Sequence, residues 1–259
     1  MRVEGERAFV LHARLWRETS LIVELLSESH GRIGAVARGV QGPKKHVQRA
    51  ALQPWQSIEF AGEQRGELWT LKRWEAVDAA PRHTGEAALA GFYVNELMLR
   101  LLPRQDAVPE VYALHGALRQ DLGVIQPLSW CLRRYERDLL EALGLGLAWG
   151  ETSDGQPLDP AARYRIDPEN GLWRDRSHAA DSVRGSALLA LAADACPLPE
   201  ELAELRRIMR IVLAHHLGGK PLKAWTLMTD MARPSNTLRE ASAALGVLPL
   251  SEHGVDSGK

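Results

Sequence analysis

Cysteine is scarce in this sequence. Cys131 and Cys196 are the two in 259 residues, and neither has a second cysteine at CxxC spacing or a histidine at ligand spacing. That excludes a disulfide framework and the common structural zinc sites, and reads both as small, buried apolar side chains. Long apolar runs are missing as well. The longest, residues 187–193 (ALLALAA), stops at Asp194, well short of the ~18 residues a membrane helix needs. Residues 1–7 carry no apolar core of a secretory signal, so a cytoplasmic location is expected. Net charge is nearly absent, with 32 Lys and Arg against 33 Asp and Glu.

A near-zero total conceals segregation, and binding responds to the local field. Between Glu28 and Glu59 there is no acidic residue, while Arg32, Arg38, Lys44, Lys45 and Arg49 are present with His30 and His46. A second acid-free interval, between Glu204 and Asp230, holds Arg206, Arg207, Arg210, Lys220 and Lys223 with His215 and His216. Such runs are either solvated faces or polyanion-binding surfaces.

Catalytic signatures are also missing. There is no GxSxG, GxxxxGK[ST] or HExxH, and no GxGxxG in a strand–helix setting. Gly39-Val-Gln-Gly42 precedes Pro43, which lacks the N–H a phosphate loop requires. Ser27, His30 and Asp78 have the residue types of a triad, but nothing in the sequence brings them together. His215 and His216 are neighbours on a helix, ~100° apart, and do not share a metal. No catalytic residue, metal or cofactor is expected. A metal-dependent nuclease would need an acidic cluster, and none stands out.

Periodicity divides the chain. Residues 7–14 alternate Phe9, Leu11 and Ala13 against Val10 and His12. Residues 20–26 and 32–38 flank a short polar linker, and residues 55–60 and 68–74 flank a Gly62…Gly66 turn. About five short strands without a crossover helix favour a small antiparallel barrel, because closure removes exposed edges. From Thr84 the period becomes helical, over 87–102, 108–122 and 127–143, with Leu128, Cys131, Leu132, Tyr135, Leu139, Ala142 and Leu143 on one stripe. Residues 146–184 are rich in Gly, Pro and Asp, with a hairpin around Asp167–Gly171 turn chemistry. Helices resume over 186–195, 199–217 and 221–231. The expected organisation is multidomain α+β: a barrel over 1–80, a mainly helical domain over 81–233 with a hairpin insertion near 146–184, and a disordered tail over 234–259.

Several stretches, taken in order, resemble the RecO family of bacterial recombination mediators. They are residues 7–14 with Trp16-Arg-Glu-Thr-Ser20, Gly31-Arg32, Ala37-Arg38-Gly39, Ala51-Leu-Gln-Pro54, Tyr93-Val-Asn-Glu-Leu97, Leu132-Arg-Arg-Tyr-Glu136, and Leu217-Gly-Gly-Lys-Pro-Leu-Lys223. The resemblance spans residues 5–232. It implies an N-terminal OB-fold and a non-enzymatic DNA repair protein, nucleoid-associated, that binds single- and double-stranded DNA and anneals complementary strands. The implied protein partners are RecR and the C-terminal tail of the single-stranded DNA-binding protein, with RecA reached indirectly and no membrane. Some relatives carry four zinc-ligand cysteines in the insertion; this sequence has none there.

On an OB barrel, cations track phosphates and aromatic rings stack on bases. The DNA-binding candidates are Arg32, Arg38, Lys44, Lys45, His46 and Arg49, then Lys72 and Trp74, which strict alternation puts on one face opposite Arg73. Trp55, Trp69 and Trp74 have barrel core as their alternative. Arg206 and Arg210 are expected to face solvent, extending the DNA path or meeting RecR. The partner tail implied by the family is acidic and ends in a phenylalanine carboxylate, a ligand that needs an apolar slot with a cation at its rim. Arg133, Arg137, Leu139 and Leu143 are the candidates, with Arg133 dispensable for stability. Their alternative is interhelical core, with Arg133 paired to a glutamate. A protein-only scaffold that uses the barrel for peptides remains the second functional reading.

Overall fold

The computed structural model describes residues 1–124, 127–177 and 179–231; the tail expected over 234–259 lies outside them. Strand β1 (Arg2–Trp16) pairs with β2 (Ser20–Ser27), and β2 with β3 (Gly31–Ala37). A 3-10 turn (Pro43–Lys45) and the short helix α1 (His46–Ala50) lead into the hairpin of β4 (Ser57–Arg65) and β5 (Leu68–Ala76). These strands close a barrel in the order β1-β2-β3-β5-β4. Closure uses one parallel ladder, in which Gly34 faces Leu68 and Ala37 faces Leu71. Hairpins leave turn signatures in a sequence, whereas a parallel pairing between distant strands does not, so the antiparallel expectation lacked this seam.

Strand β1 serves two cores. Ala8 and Val10 point into the barrel with Val23, Leu25, Ile33, Phe60 and Trp69, while Phe9 and Leu11 join the helical core. Simple alternation ends at Leu11, where the register with β2 skips from Val10–Leu25 to His12–Glu24. The extra residue of this bulge faces the helices, and Ala13 rather than His12 resumes the inward row. A bulge leaves ladder groups unpaired; here Asn95 Nδ2 donates to the Leu11 carbonyl at 3.0 Å.

The helical part comprises α2 (Gly85–Leu101), α3 (Pro109–Asp121) and α4 (Leu128–Ala142). After it come a small sheet of β6 (Arg163–Asp167), β7 (Gly171–Asp175) and β8 (Val183–Arg184), and then α5 (Gly185–Ala192), α6 (Pro199–His216) and α7 (Lys223–Met231). Cys131 is buried as expected, but Cys196 is exposed, in the loop between α5 and α6. No described helix is long and apolar enough to cross a membrane.

Barrel and helices meet along an aromatic seam. The Phe9 ring lies 4.8 Å from Tyr112 and 5.2 Å from His115, and Trp55 stacks on His115 at 4.7 Å. Trp55 thus belongs to the helical core, not the barrel interior. Gly91 admits its ring, since a Cβ there would lie 2.9 Å from the indole nitrogen. Buried Arg119 donates to the Trp55 carbonyl at 2.7 Å and grips both oxygens of Asp78. Asp78 therefore stands apart from Ser27, which donates to Glu6, and the triad residue types do not converge. Gly31, at φ +62, brings β3 against the chain after α2: a Cβ there would lie 1.9 Å from the Asp106 carbonyl oxygen.

Two outcomes follow from this seam. Gly31→Ala should cost more than about 2 kcal/mol in urea unfolding, through left-handed strain plus the clash. His115 is held down to about 3 by burial, with Arg119 adding to it. The unfolded chain therefore binds a proton on this residue at a pH where the folded one does not. Stability should fall as pH drops from about 6.5 to about 3, at a slope of about 1.4 kcal/mol per pH unit from this group. Replacing His115 with Phe should remove that slope component in denaturant titrations across the interval.

Candidate functional site

The first acid-free interval divides in two. Arg32 is half-buried at the seam, donating to the Leu99 carbonyl at 2.7 Å with Glu24 at 4.0 Å. It joins barrel to helices, so the expectation of an open phosphate contact at Arg32 is corrected. Arg38, Lys44, Lys45 and His46 are exposed and Arg49 is half-buried. Arg38 follows the end of β3, Lys44 and Lys45 lie on the 3-10 turn, and His46 and Arg49 are on α1. That segment is anchored by Val40, Ala51 and Leu52 in the barrel core, and by Trp74 Nε1, which donates to the Gln48 carbonyl at 2.9 Å.

Lys72 and Trp74 do not share a face. The register between β4 and β5 passes from Gly62–Leu71 to Ala61–Arg73, leaving Lys72 as an extra residue. Lys72 points outward and pairs with Glu63 at 3.1 Å, which holds the Glu63 carboxyl below its usual range, Lys72 being the first cause. Trp74 packs against the barrel core. A bulge has no signature in side-chain type, so strict alternation misassigned the pair.

Three residues missed by sequence reasoning stand at the β1–β2 turn. Trp16 is 39% exposed, and the guanidinium carbons of Arg14 and Arg17 lie 5.9 and 5.8 Å from its ring centroid. Short strand flanks with one acid, Glu18, gave no charge run to notice. Thr19 accepts from the N–H groups of Val40 and Gln41 at 2.8 and 3.3 Å, tying this turn to the Arg38 segment. The second acid-free interval contributes here too. Glu96 caps α7 by accepting from the N–H groups of Lys223 and Ala224, both at 2.9 Å, and Arg100 donates to the Lys220 carbonyl at 3.2 Å. Although His12 reaches solvent, surrounding atoms lower its pKa first, Glu24 opposes them, and Arg14 and Lys223 lower it further. Among the described residues, none of Arg14, Arg17, Arg38, Lys44, Lys45 and Arg49 pairs with a carboxylate.

A cavity of about 470 Å³ opens between α2, α4, α6 and α7. Leu89, Ala90 and Leu132 give it an apolar wall; Trp225, Arg206 and Arg210 line the other side. The Arg210 guanidinium carbon sits 4.7 Å from the centre of the Trp225 ring. Arg206 and Arg210 face solvent as expected, yet they border this cavity rather than the barrel arc. Arg133 lines the cavity from within its wall. It is 5% exposed and pairs with fully buried Glu136, which also accepts from the Tyr93 hydroxyl at 2.5 Å. Burial first, and the Glu136 charge second, push the Tyr93 phenol well above its usual range.

The two halves of the chain match two family models in succession: "Recombination protein O N terminal" over residues 1–80 and "Recombination protein O C terminal" over residues 82–226. The chain is 55% identical over 238 residues to a DNA repair protein RecO of Xanthomonas oryzae pv. oryzae, covering 90% of this chain and 99% of that protein. It is 56% identical over 236 residues to the DNA repair protein RecO of Stenotrophomonas maltophilia, with the same coverage. The chain belongs to the RecO family. It is a DNA repair protein with the OB-like barrel of that family at its N-terminal end.

Within this RecO chain the slot expected around Arg133 takes a different form. Arg137 donates to the Leu191 carbonyl at 2.5 Å and to Asp194 at 2.9 Å, Leu139 is fully buried in the helical core, and Leu143 packs on that core. None of the three lines the cavity. The stripe on α4 is interhelical core, and the cavity residues come from four helices that no local pattern relates. The insertion is fastened by its own polar groups. Asp167 accepts from the N–H groups of Glu169 and Asn170, and Tyr164 OH accepts from the N–H of Asp159. Asp175 is held down to about 2, chiefly by the Ser177 hydroxyl.

Arg133 is therefore not dispensable for stability. Arg133→Ala should lower unfolding free energy by about 3–5 kcal/mol, because Glu136 would be left charged and buried. The double variant Arg133→Met with Glu136→Leu should recover most of that loss in the same denaturant titration.

Proposed function

We propose that this chain is a recombination mediator that holds DNA on its barrel without cutting it and captures a protein tail on its helices. In this reading residues 1–80 and 81–233 act as two working units in the cytoplasm. The observation that carries the DNA part is the arc of exposed Arg38, Lys44 and Lys45 with half-buried Arg49, which lacks carboxylate partners among the described residues. Cations without internal partners retain their full field for phosphates and release counterions when those phosphates bind. Two strands held on such a surface lose mutual repulsion, which favours annealing. Arg206 and Arg210 are better suited to the helical cavity than to the DNA path. An apolar slot with two exposed guanidinium groups at its rim fits an acidic tail ending in an aromatic residue, the kind that the RecO family takes from single-stranded DNA-binding protein. RecR contact and delivery of strands to RecA complete the family reading.

Electrophoretic shift of a labelled single-stranded oligonucleotide tests the DNA part. With about four phosphates neutralised, log K should fall with log salt at a slope of roughly −3. The variant Lys44→Ala, Lys45→Ala, Arg49→Ala should reduce that slope by about 2. No shift even at low salt would favour a protein-only scaffold. For the cavity, Arg206→Ala and Arg210→Ala should each weaken a tail peptide ending in Phe by about 1.5–3 kcal/mol in fluorescence anisotropy, while oligonucleotide binding stays unchanged.

A further inference from the structure

The β1–β2 turn carries chemistry that phosphate neutralisation does not use. Trp16 belongs to neither apolar core, although its strand has buried positions on both faces further back. The bulge at Leu11 sets this up: beyond it the outward row becomes His12, Arg14 and Trp16. The guanidinium carbons of Arg14 and Arg17 stand 5.9 and 5.8 Å from the ring centroid, at the outer limit of cation–π attraction, about 6 Å. Both lie over the indole at a distance too long for close packing, and the ring remains 39% exposed to solvent. Arg17 holds a left-handed backbone at φ 55, a strained position for a side chain other than glycine. The bonds from Val40 and Gln41 to Thr19 keep the turn in register with the Arg38 segment. Trp16 pairs with Ser20, and Leu21 on β2 pairs with Ala37, so Arg38 lies two strand spacings across the sheet, about 10 Å.

We propose that Trp16 is a base-stacking finger for single-stranded nucleic acid, with Arg14 and Arg17 holding the phosphates on either side of the stacked base. The finger rests on the DNA-binding reading of the barrel and deepens it by adding a contact to bases. Every base has a π face, so the contact is independent of sequence. A duplex hides those faces within its stack, so the finger favours single strands. From Trp16 the strand finds the next cation at Arg38, across β2.

The test compares the full chain and its variants on a fluorescein-labelled oligo(dT) and on an abasic oligonucleotide of equal length and charge, by anisotropy at fixed salt. The wild-type chain should prefer oligo(dT) by about tenfold, the effect of one stacked base. Trp16→Ala should reduce the preference below about twofold while abasic affinity, salt slope and melting temperature stay unchanged. Trp16→Phe should keep part of it. A wild-type chain that binds both oligonucleotides equally, or a Trp16→Ala variant that keeps the wild-type preference, overturns the finger and leaves the DNA-binding reading standing. An equal loss on both oligonucleotides with a lowered melting temperature assigns Trp16 a structural role and also overturns it. A wild-type chain that binds neither overturns the finger together with the DNA-binding reading.

Discussion

One strand buried on both faces holds this molecule together. Strand β1 fills the barrel with Ala8 and Val10 and fills the helical core with Phe9 and Leu11. Two cores that share a strand cannot drift apart without exposing one of them, and the Trp55–His115 stack and the Arg119–Asp78 pair extend the same seam. The bulge at Leu11 is what permits the arrangement. It gives the helices an additional apolar residue, places an unpaired carbonyl within reach of Asn95, and turns the following residues outward. The same irregularity thus secures the domains and determines which side chains reach solvent at the end of the strand.

Electrostatics follows from that packing. The chain is nearly neutral overall, yet its ion pairs are unevenly spent. On the helical side Arg134, Arg137, Arg163 and Arg184 pair with Asp194, Asp138 and Glu204. At the seam Arg104 takes Glu24. The cations from Arg38 to Arg49 have no acidic residue among their chain neighbours, and among the described residues the fold brings none into an ion pair with them. Separation of this kind lets a protein of ordinary charge present a strong local field, and it keeps these cations apart from the apolar, guanidinium-rimmed cavity. The proposed places for a polyanionic strand and for a tail with an aromatic end therefore lie on different elements, one on the barrel and one among the helices.

Much of the architecture was legible. Period-two stretches before Thr84 became the barrel, helical periods after it became α2 to α7, and the Asp167–Gly171 turn became the β6–β7 hairpin. The candidate site was legible only where it depended on charge density. The acid-free run marked Arg38, Lys44, Lys45 and Arg49, but it also swept in Arg32, which donates to the Leu99 carbonyl and lies 4.0 Å from Glu24 at the seam. Lys72 and Trp74 were paired by an alternation that a bulge interrupts. Trp16 was noted only within a family-like stretch, because an aromatic residue near a turn suggests no role until its exposure and neighbours are known.

By itself the sequence determined the kinds of elements, their order and the places where positive charge accumulates, because periodicity and composition act between near neighbours along the chain. Only the tertiary structure decided which cations remain unpaired, which helices enclose a cavity around Arg206, Arg210 and Trp225, and where the barrel closes on itself through a parallel ladder. Those outcomes depend on contacts between residues tens of positions apart, and on single inserted residues that reverse the facing of everything after them. Neither leaves a local mark in the order of the amino acids.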